Sequence, residues 1–157
     1  MTVSGTFSWM EVSPPDGAGT GVVRAGVDRV ELDEFRRSVE VAGDAFVERI
    51  CTPDEIAHCA GRVDRLATRF AAKEAVSKML GTGKRGLSWG EIEVVTSTHG
   101  EPHVVLHDRA RDRADTLGVT SIGLSMTHTA VAAEAFVVAL CTVPEADQRI
   151  GEETGHV

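Results

Sequence analysis

The chain contains no tyrosine, and aromatic residues make up only 4% of it. Little is left from which to build the stacking platforms of single-strand nucleic-acid binders. Positive charge is also short: 16 Lys and Arg stand against 24 Asp and Glu, a formal net charge of −8. General nucleic-acid binding needs a basic surface to neutralise phosphates, so that class is excluded. The basic charge that exists gathers in one region, at Arg62, Arg65, Arg69, Lys73, Lys78, Lys84 and Arg85. Such a run either lines a site for a polyanionic small molecule or forms a solvated face. The three cysteines, Cys51, Cys59 and Cys141, show no C-x-x-C spacing. An odd count with no basic-then-apolar leader predicts reduced thiols and a cytoplasmic location. The longest apolar run, residues 130–143, carries Glu134 and is too short to span a bilayer.

With 157 residues, 42% of them hydrophobic, the chain is large enough for one domain with a real core. Residues 1–20 end in Ser13-Pro14-Pro15-Asp16-Gly17, a loop-forming composition that predicts a flexible N-terminal extension. Residues 21–142 form the domain, and 143–157 an acidic C-terminal tail. Within the domain a strand is predicted over residues 22–28 and helices over 32–39 and 45–50. Thr52-Pro53-Asp54-Glu55 is a capping box that starts another helix. A long helix over 64–80 follows, then strands at 92–95 and 103–107, a charged helix at 109–117, and strands at 121–126 and 132–140. Strands and helices interleave without a βαβ period, which predicts an α+β fold.

The long helix is the most informative segment. Ala72, Ala75, Val76, Met79 and Leu80 make an apolar stripe at helical spacing. Glu74 and Lys78 are four apart on a face roughly opposite, with Phe70 and Ser77 on that side. A carboxylate and an ammonium above a glycine turn could bind a metal and a phosphate; an ordinary i,i+4 ion pair on a solvated face is the alternative. Gly81-Thr82-Gly83-Lys84-Arg85-Gly86 matches G-x-G-x-x-G, but a helix precedes it and a strand follows, the reverse of the dinucleotide fingerprint. His99, His103 and His107 recur every four residues, yet Gly100 and Pro102 preclude a helix, and they read as surface histidines. His128, between two strands, is a better functional candidate. Asp28, at the end of an apolar strand, reads either as a turn residue or as a second carboxylate for a cation.

Four segments in this order and spacing resemble the holo-acyl carrier protein synthases, the small trimeric class of 4′-phosphopantetheinyl transferases. Ala25-Gly26-Val27-Asp28-Arg29-Val30-Glu31-Leu32 resembles the family's opening motif. Arg69-Phe70-Ala71-Ala72-Lys73-Glu74-Ala75-Val76-Ser77-Lys78 resembles its R-F-A-A-K-E-A-x-x-K helix. Gly81-Thr82-Gly83, then Leu87-Ser88-Trp89 and Ile92-Glu93-Val94, continue in register, and Ser125-Met126-Thr127-His128-Thr129 resembles the closing motif.

The resemblance implies a small, mainly antiparallel sheet packed with a long helix and assembled as a homotrimer, with sites between protomers. It implies transfer of the phosphopantetheine arm of coenzyme A to a serine of an apo acyl carrier protein, of fatty-acid or polyketide type, with release of adenosine 3′,5′-bisphosphate. Asp28 and Glu74 would hold Mg²⁺, and Lys78 would contact the phosphates and assist the leaving group. Glu74, directly or through water, would be the base. Arg69, Lys73, Gly81, Thr82 and Gly83 would bind coenzyme A phosphates, and His128 would sit near its nucleotide end. Two departures reverse charge: Glu34 and Glu101 stand where the family usually has basic residues, one of them in the helix that meets the carrier. A non-catalytic scaffold is one competing reading, which intact Asp28, Glu74 and Lys78 argue against, and a diphosphate hydrolase on another fold is the second.

Overall fold

In the computed structural model, which describes residues 10–12, 21–83 and 86–142, two long strands carry the architecture. The order is β1 (Met10–Val12), β2 (Gly21–Glu31), α1 (Leu32–Ile50), α2 (Pro53–Cys59), α3 (Val63–Leu80), a 3₁₀ turn at Trp89–Glu91, β3 (Ile92–Thr96), β4 (Pro102–Leu106), α4 (Asp108–Thr116), β5 (Val119–His128) and β6 (Ala132–Thr142). The main sheet has the order β1-β2-β6-β5, and β3 and β4 form a separate hairpin. Every pairing is antiparallel, as expected for the α+β class. β2 and β6 pair along their whole length, from Gly21 opposite Thr142 to Glu31 opposite Ala132.

Period-two alternation gives this sheet two unlike faces. Inward, Ala133, Ala135, Val137, Ala139 and Cys141 of β6 are buried under α3. Outward, the cross-strand pairs Val27–Phe136, Ala25–Val138 and Val23–Leu140 form one apolar patch; Val27 is 58%, Phe136 49% and Leu140 53% exposed.

α3 departs from the predicted one-sided amphipathic helix. Sheet residues cover one side, α1 and α2 another, and β3 a third, so the polar side chains of Arg69, Lys73, Glu74 and Ser77 are buried along with the apolar stripe. Phe70 lies in a second core with Phe35, Phe46 and Trp89, its ring 5.7 Å from Phe35 and 5.3 Å from Trp89. A chain with few aromatics has placed four of them where α1, α3 and the 3₁₀ turn meet.

Other comparisons with the expected elements are local. The two predicted helices at 32–39 and 45–50 are both present as the two halves of α1, divided at Gly43 (φ 58°, ψ −147°), a conformation open essentially to glycine alone. Residues 10–12, inside the predicted extension, add an edge strand to β2. The 143–157 tail, and Lys84 and Arg85, lie outside the described residues. β5 extends to His128, which pairs with Ala133 and is therefore a strand end rather than part of a linker.

Candidate active site

The site begins with a close approach. α3 presses onto β2 at Gly26, where a methyl would stand 2.0 Å from the Ala75 carbonyl oxygen. Glycine is required there because only a bare Cα admits the helix. Glu74 precedes Ala75, and Asp28 lies two residues beyond Gly26, so the tight contact sets both carboxylates at the same crossing of helix and strand. Asp28 Oδ1 accepts from Lys78 Nζ at 2.7 Å, and the same ammonium donates to the Val27 carbonyl at 2.9 Å. This ion pair is made across 50 residues of sequence. Lys78 keeps 35% of its side chain exposed, while Asp28 keeps 17%. Glu74, one turn before Lys78, is 6% exposed.

The turn after α3 is built by backbone and hydroxyl contacts. Gly81 closes the helix in the left-handed region (φ 72°). Ser77 Oγ donates to the Gly83 carbonyl at 2.9 Å, and the Thr82 amide donates to the Ser77 carbonyl at 3.2 Å. The last carbonyls of α3 receive two guanidinium groups: Arg24 Nε donates to Met79 at 2.8 Å and Arg113 Nε to Leu80 at 3.1 Å. Burial lowers the Arg24 pKa from its usual value. Neither arginine stood out in the sequence, since helix capping from strands and helices far along the chain leaves no local pattern.

Two expected phosphate ligands are placed elsewhere. Lys73 is fully buried, ion-paired to Glu55 at 2.6 Å, and donates to the Trp89 carbonyl at 3.0 Å. Glu55 is further held by the amides of Thr52 and Val94, both at 2.8 Å. The Thr52–Glu55 capping box is present as predicted, and its glutamate also neutralises the lysine. A buried ion pair is costly to open, and this one braces α3 against α2 and β3. Arg69 is 4% exposed; its Nη2 donates to Thr96 Oγ1 at 3.2 Å, and its Nε is buried without a hydrogen-bond partner among the described residues. It faces the same side of α3 as Lys73, away from Asp28.

His128 is not adjacent to Asp28 within the chain. β6 separates β5 from β2, which puts them roughly 10 Å apart across the sheet. At its own end of the sheet, His128 Nε2 stands 3.1 Å from Asp64 Oδ2. Asp64 accepts from Arg62 Nε at 3.2 Å and Nη2 at 2.5 Å. Those hydrogen bonds chiefly hold the Asp64 carboxyl down at about 2. A surface cavity of about 680 Å³ opens here, lined by Leu32, Arg36, Val63, Asp64, His128 and Thr129 among others. Of the recurring histidines, His107 meets Glu93 at 2.9 Å.

Residues 24–141 match the family described as the 4′-phosphopantetheinyl transferase superfamily. The chain belongs to this superfamily. Among its relatives, a holo-[acyl-carrier-protein] synthase of Solibacter usitatus is 46% identical over 121 residues, covering 74% of this chain and 97% of that one. That of Koribacter versatilis is 41% identical over 121 residues, covering 74% and 97%. The fold matches the Helicobacter pylori holo-[acyl-carrier-protein] synthase in complex with coenzyme A, with a TM-score of 0.67 and 31% identity over 73% of this chain and 98% of that one. It matches the Bacillus anthracis synthase in complex with coenzyme A (3′,5′-ADP) with a TM-score of 0.62 and 30% identity, covering 76% and 96%. The superfamily match spans the Asp28, Glu74, Lys78 and His128 positions and leaves both chain ends outside it.

Proposed function

We propose that this protein transfers the 4′-phosphopantetheine group of coenzyme A to a serine of an apo acyl carrier protein, giving holo carrier protein and adenosine 3′,5′-bisphosphate. The observation that carries this reading is the Asp28–Lys78 pair at the tight crossing of β2 and α3, with Glu74 one turn away. In the reaction the serine oxygen forms a bond to the phosphorus that bears the pantetheine arm. The bond from that phosphorus to the bridging oxygen breaks, and the nucleotide leaves. Lys78, a compact point charge, binds the phosphate oxygens and is placed to protonate the departing one. Glu74 takes the proton of the attacking hydroxyl.

Asp28 and Glu74 would hold Mg²⁺. The donor set fits: two hard carboxylate oxygen groups suit an ion that takes few protein ligands and completes its shell with water and phosphate oxygens. When bound, the ion withdraws charge from the diphosphate. Gly81, Thr82 and Gly83 offer backbone to the phosphates, and His128 meets the nucleotide end.

A homotrimer with sites between protomers accounts for two features of the single chain. The catalytic group on β2 and α3 and the His128 group on β5 lie on strands separated by β6, so neighbouring copies can join what one copy holds apart. The outward patch of Val23, Ala25, Val27, Phe136, Val138 and Leu140 is the apolar surface such an assembly would cover. Intact-mass analysis of apo carrier proteins with this protein, coenzyme A and Mg²⁺ tests the transfer. A gain of about 340 Da, one phosphopantetheine group, is expected. No gain on any carrier, with coenzyme A hydrolysed instead, would replace the reading with a hydrolase.

A further inference from the structure

We propose that Asp64 is a positioning residue for coenzyme A binding that acts through His128, fixing the imidazole so that Nδ1 is the nitrogen presented to the donor. This rests on the transferase reading above. His128 is the last residue of β5, with 42% of its side chain exposed. An imidazole on an open strand end samples its rotamers, and ordering it on binding weakens affinity. Here one carboxylate meets it: Asp64 Oδ2, 3.1 Å from Nε2.

Asp64 is itself fixed. It sits in the first turn of α3, where the helix favours negative charge. Arg62 grips both of its oxygens. The attraction between carboxylate and imidazole turns the Nε2 side of the ring toward Asp64. Nδ1 is the nitrogen left for a ligand. The other charged side chain lining this cavity is Arg36, which is ion-paired to Asp33 at 2.8 Å, and Arg62 reaches Asp64 from beside it. Each arginine is thus matched by a carboxylate, and Asp64 is shared between the imidazole and Arg62. No reacting group of the β2–α3 crossing is among the cavity's residues, so Asp64 should govern affinity for the donor and leave the chemical step alone.

The test is a double-mutant cycle of Asp64→Ala and His128→Ala, read as KM for coenzyme A and kcat. Asp64→Ala is expected to raise KM about five- to tenfold, with kcat within about twofold of wild type. In the His128→Ala background the same substitution should change KM by less than about twofold. Asp64→Glu, which keeps the charge, should recover part of the loss. If Asp64→Ala is not recovered folded, Asp64→Asn carries the same cycle while keeping an acceptor in the first turn. Equal KM increases in both backgrounds would overturn the proposal, as would a loss of kcat with KM unchanged. A wild type that modifies no carrier fails the transferase reading; a wild type that transfers but gives an additive cycle fails only the role of Asp64.

Discussion

Gly26→Ala perturbs the contact on which the site depends. The new methyl would meet the Ala75 carbonyl oxygen at 2.0 Å, and both the Ala75 carbonyl carbon and the Met79 amide at 3.0 Å. These are backbone atoms of a buried helix and cannot rotate away. Restoring even a tight contact moves α3 from β2 by at least about 1 Å, and overpacking of this kind typically costs about 1–3 kcal/mol. The same displacement separates Asp28, on the strand, from Glu74 and Lys78, on the helix. Their 2.7 Å ion pair opens, and a misplacement of about 1 Å at a reacting centre lowers the rate on the order of a hundredfold. Stability is read by urea unfolding and turnover by the mass of the carrier, each at a temperature where the variant remains folded. The expected result is a folded protein of lower midpoint whose kcat falls far more than its stability explains. A Gly26→Ala variant with wild-type midpoint and wild-type turnover would refute the argument that this crossing sets the site.

Three further outcomes follow from named contacts. Lys78→Ala should lower kcat by about a hundredfold and Lys78→Arg should restore only part of it, because a planar fork places charge differently from an ammonium; loss of thermal stability with kcat intact would reduce Lys78 to a partner of Asp28. The hydrogen bonds of Arg109 hold the Glu91 carboxyl below its ordinary value of 4.5. Its contribution is therefore complete above that pH and lost as pH falls through the lowered folded value. Glu91→Gln should cost about 1 kcal/mol at neutral pH and make the stability decline below about pH 4.5 shallower, as denaturant titrations across pH will show. Glu34 is exposed on α1, and Arg36 nearby is already paired with Asp33. Glu34→Arg should thus lower KM for a strongly acidic carrier by about two- to fivefold and make it more salt-sensitive; equal KM values at low and moderate salt would place Glu34 outside the docking surface.

What the sequence made legible was local. The Thr52–Glu55 capping box, the glycine stop at Gly81, the period-two strands and the long helix all follow from spacing within a few residues, and each formed where expected. Asp28 at the end of an apolar stretch was visible, although its partner was not. β2 runs beside α3 at Gly26 and so brings Lys78 to Asp28, a contact across 50 residues that no local spacing shows. Lys73 drew attention through the R-F-A-A-K-E-A pattern, and its buried partner Glu55, on a separate helix, was not legible. Asp64 escaped notice for the same reason, since only the end of β5 brings His128 to it. Contacts between distant segments leave no local spacing to read, whereas each half of α1 has its own helical signal and the break between them was legible.

The central claim is that Asp28 and Glu74 make this fold a transferase, and its most direct test is intact-mass analysis of one responsive apo carrier with wild type, Asp28→Ala and Glu74→Ala. Coenzyme A and Mg²⁺ are supplied in excess, and circular dichroism and light scattering are recorded on the same samples. The account predicts a gain of about 340 Da with wild type and none with either variant, all three sharing one fold and one assembly state. Carrier modified at near wild-type rate by either folded variant would contradict it.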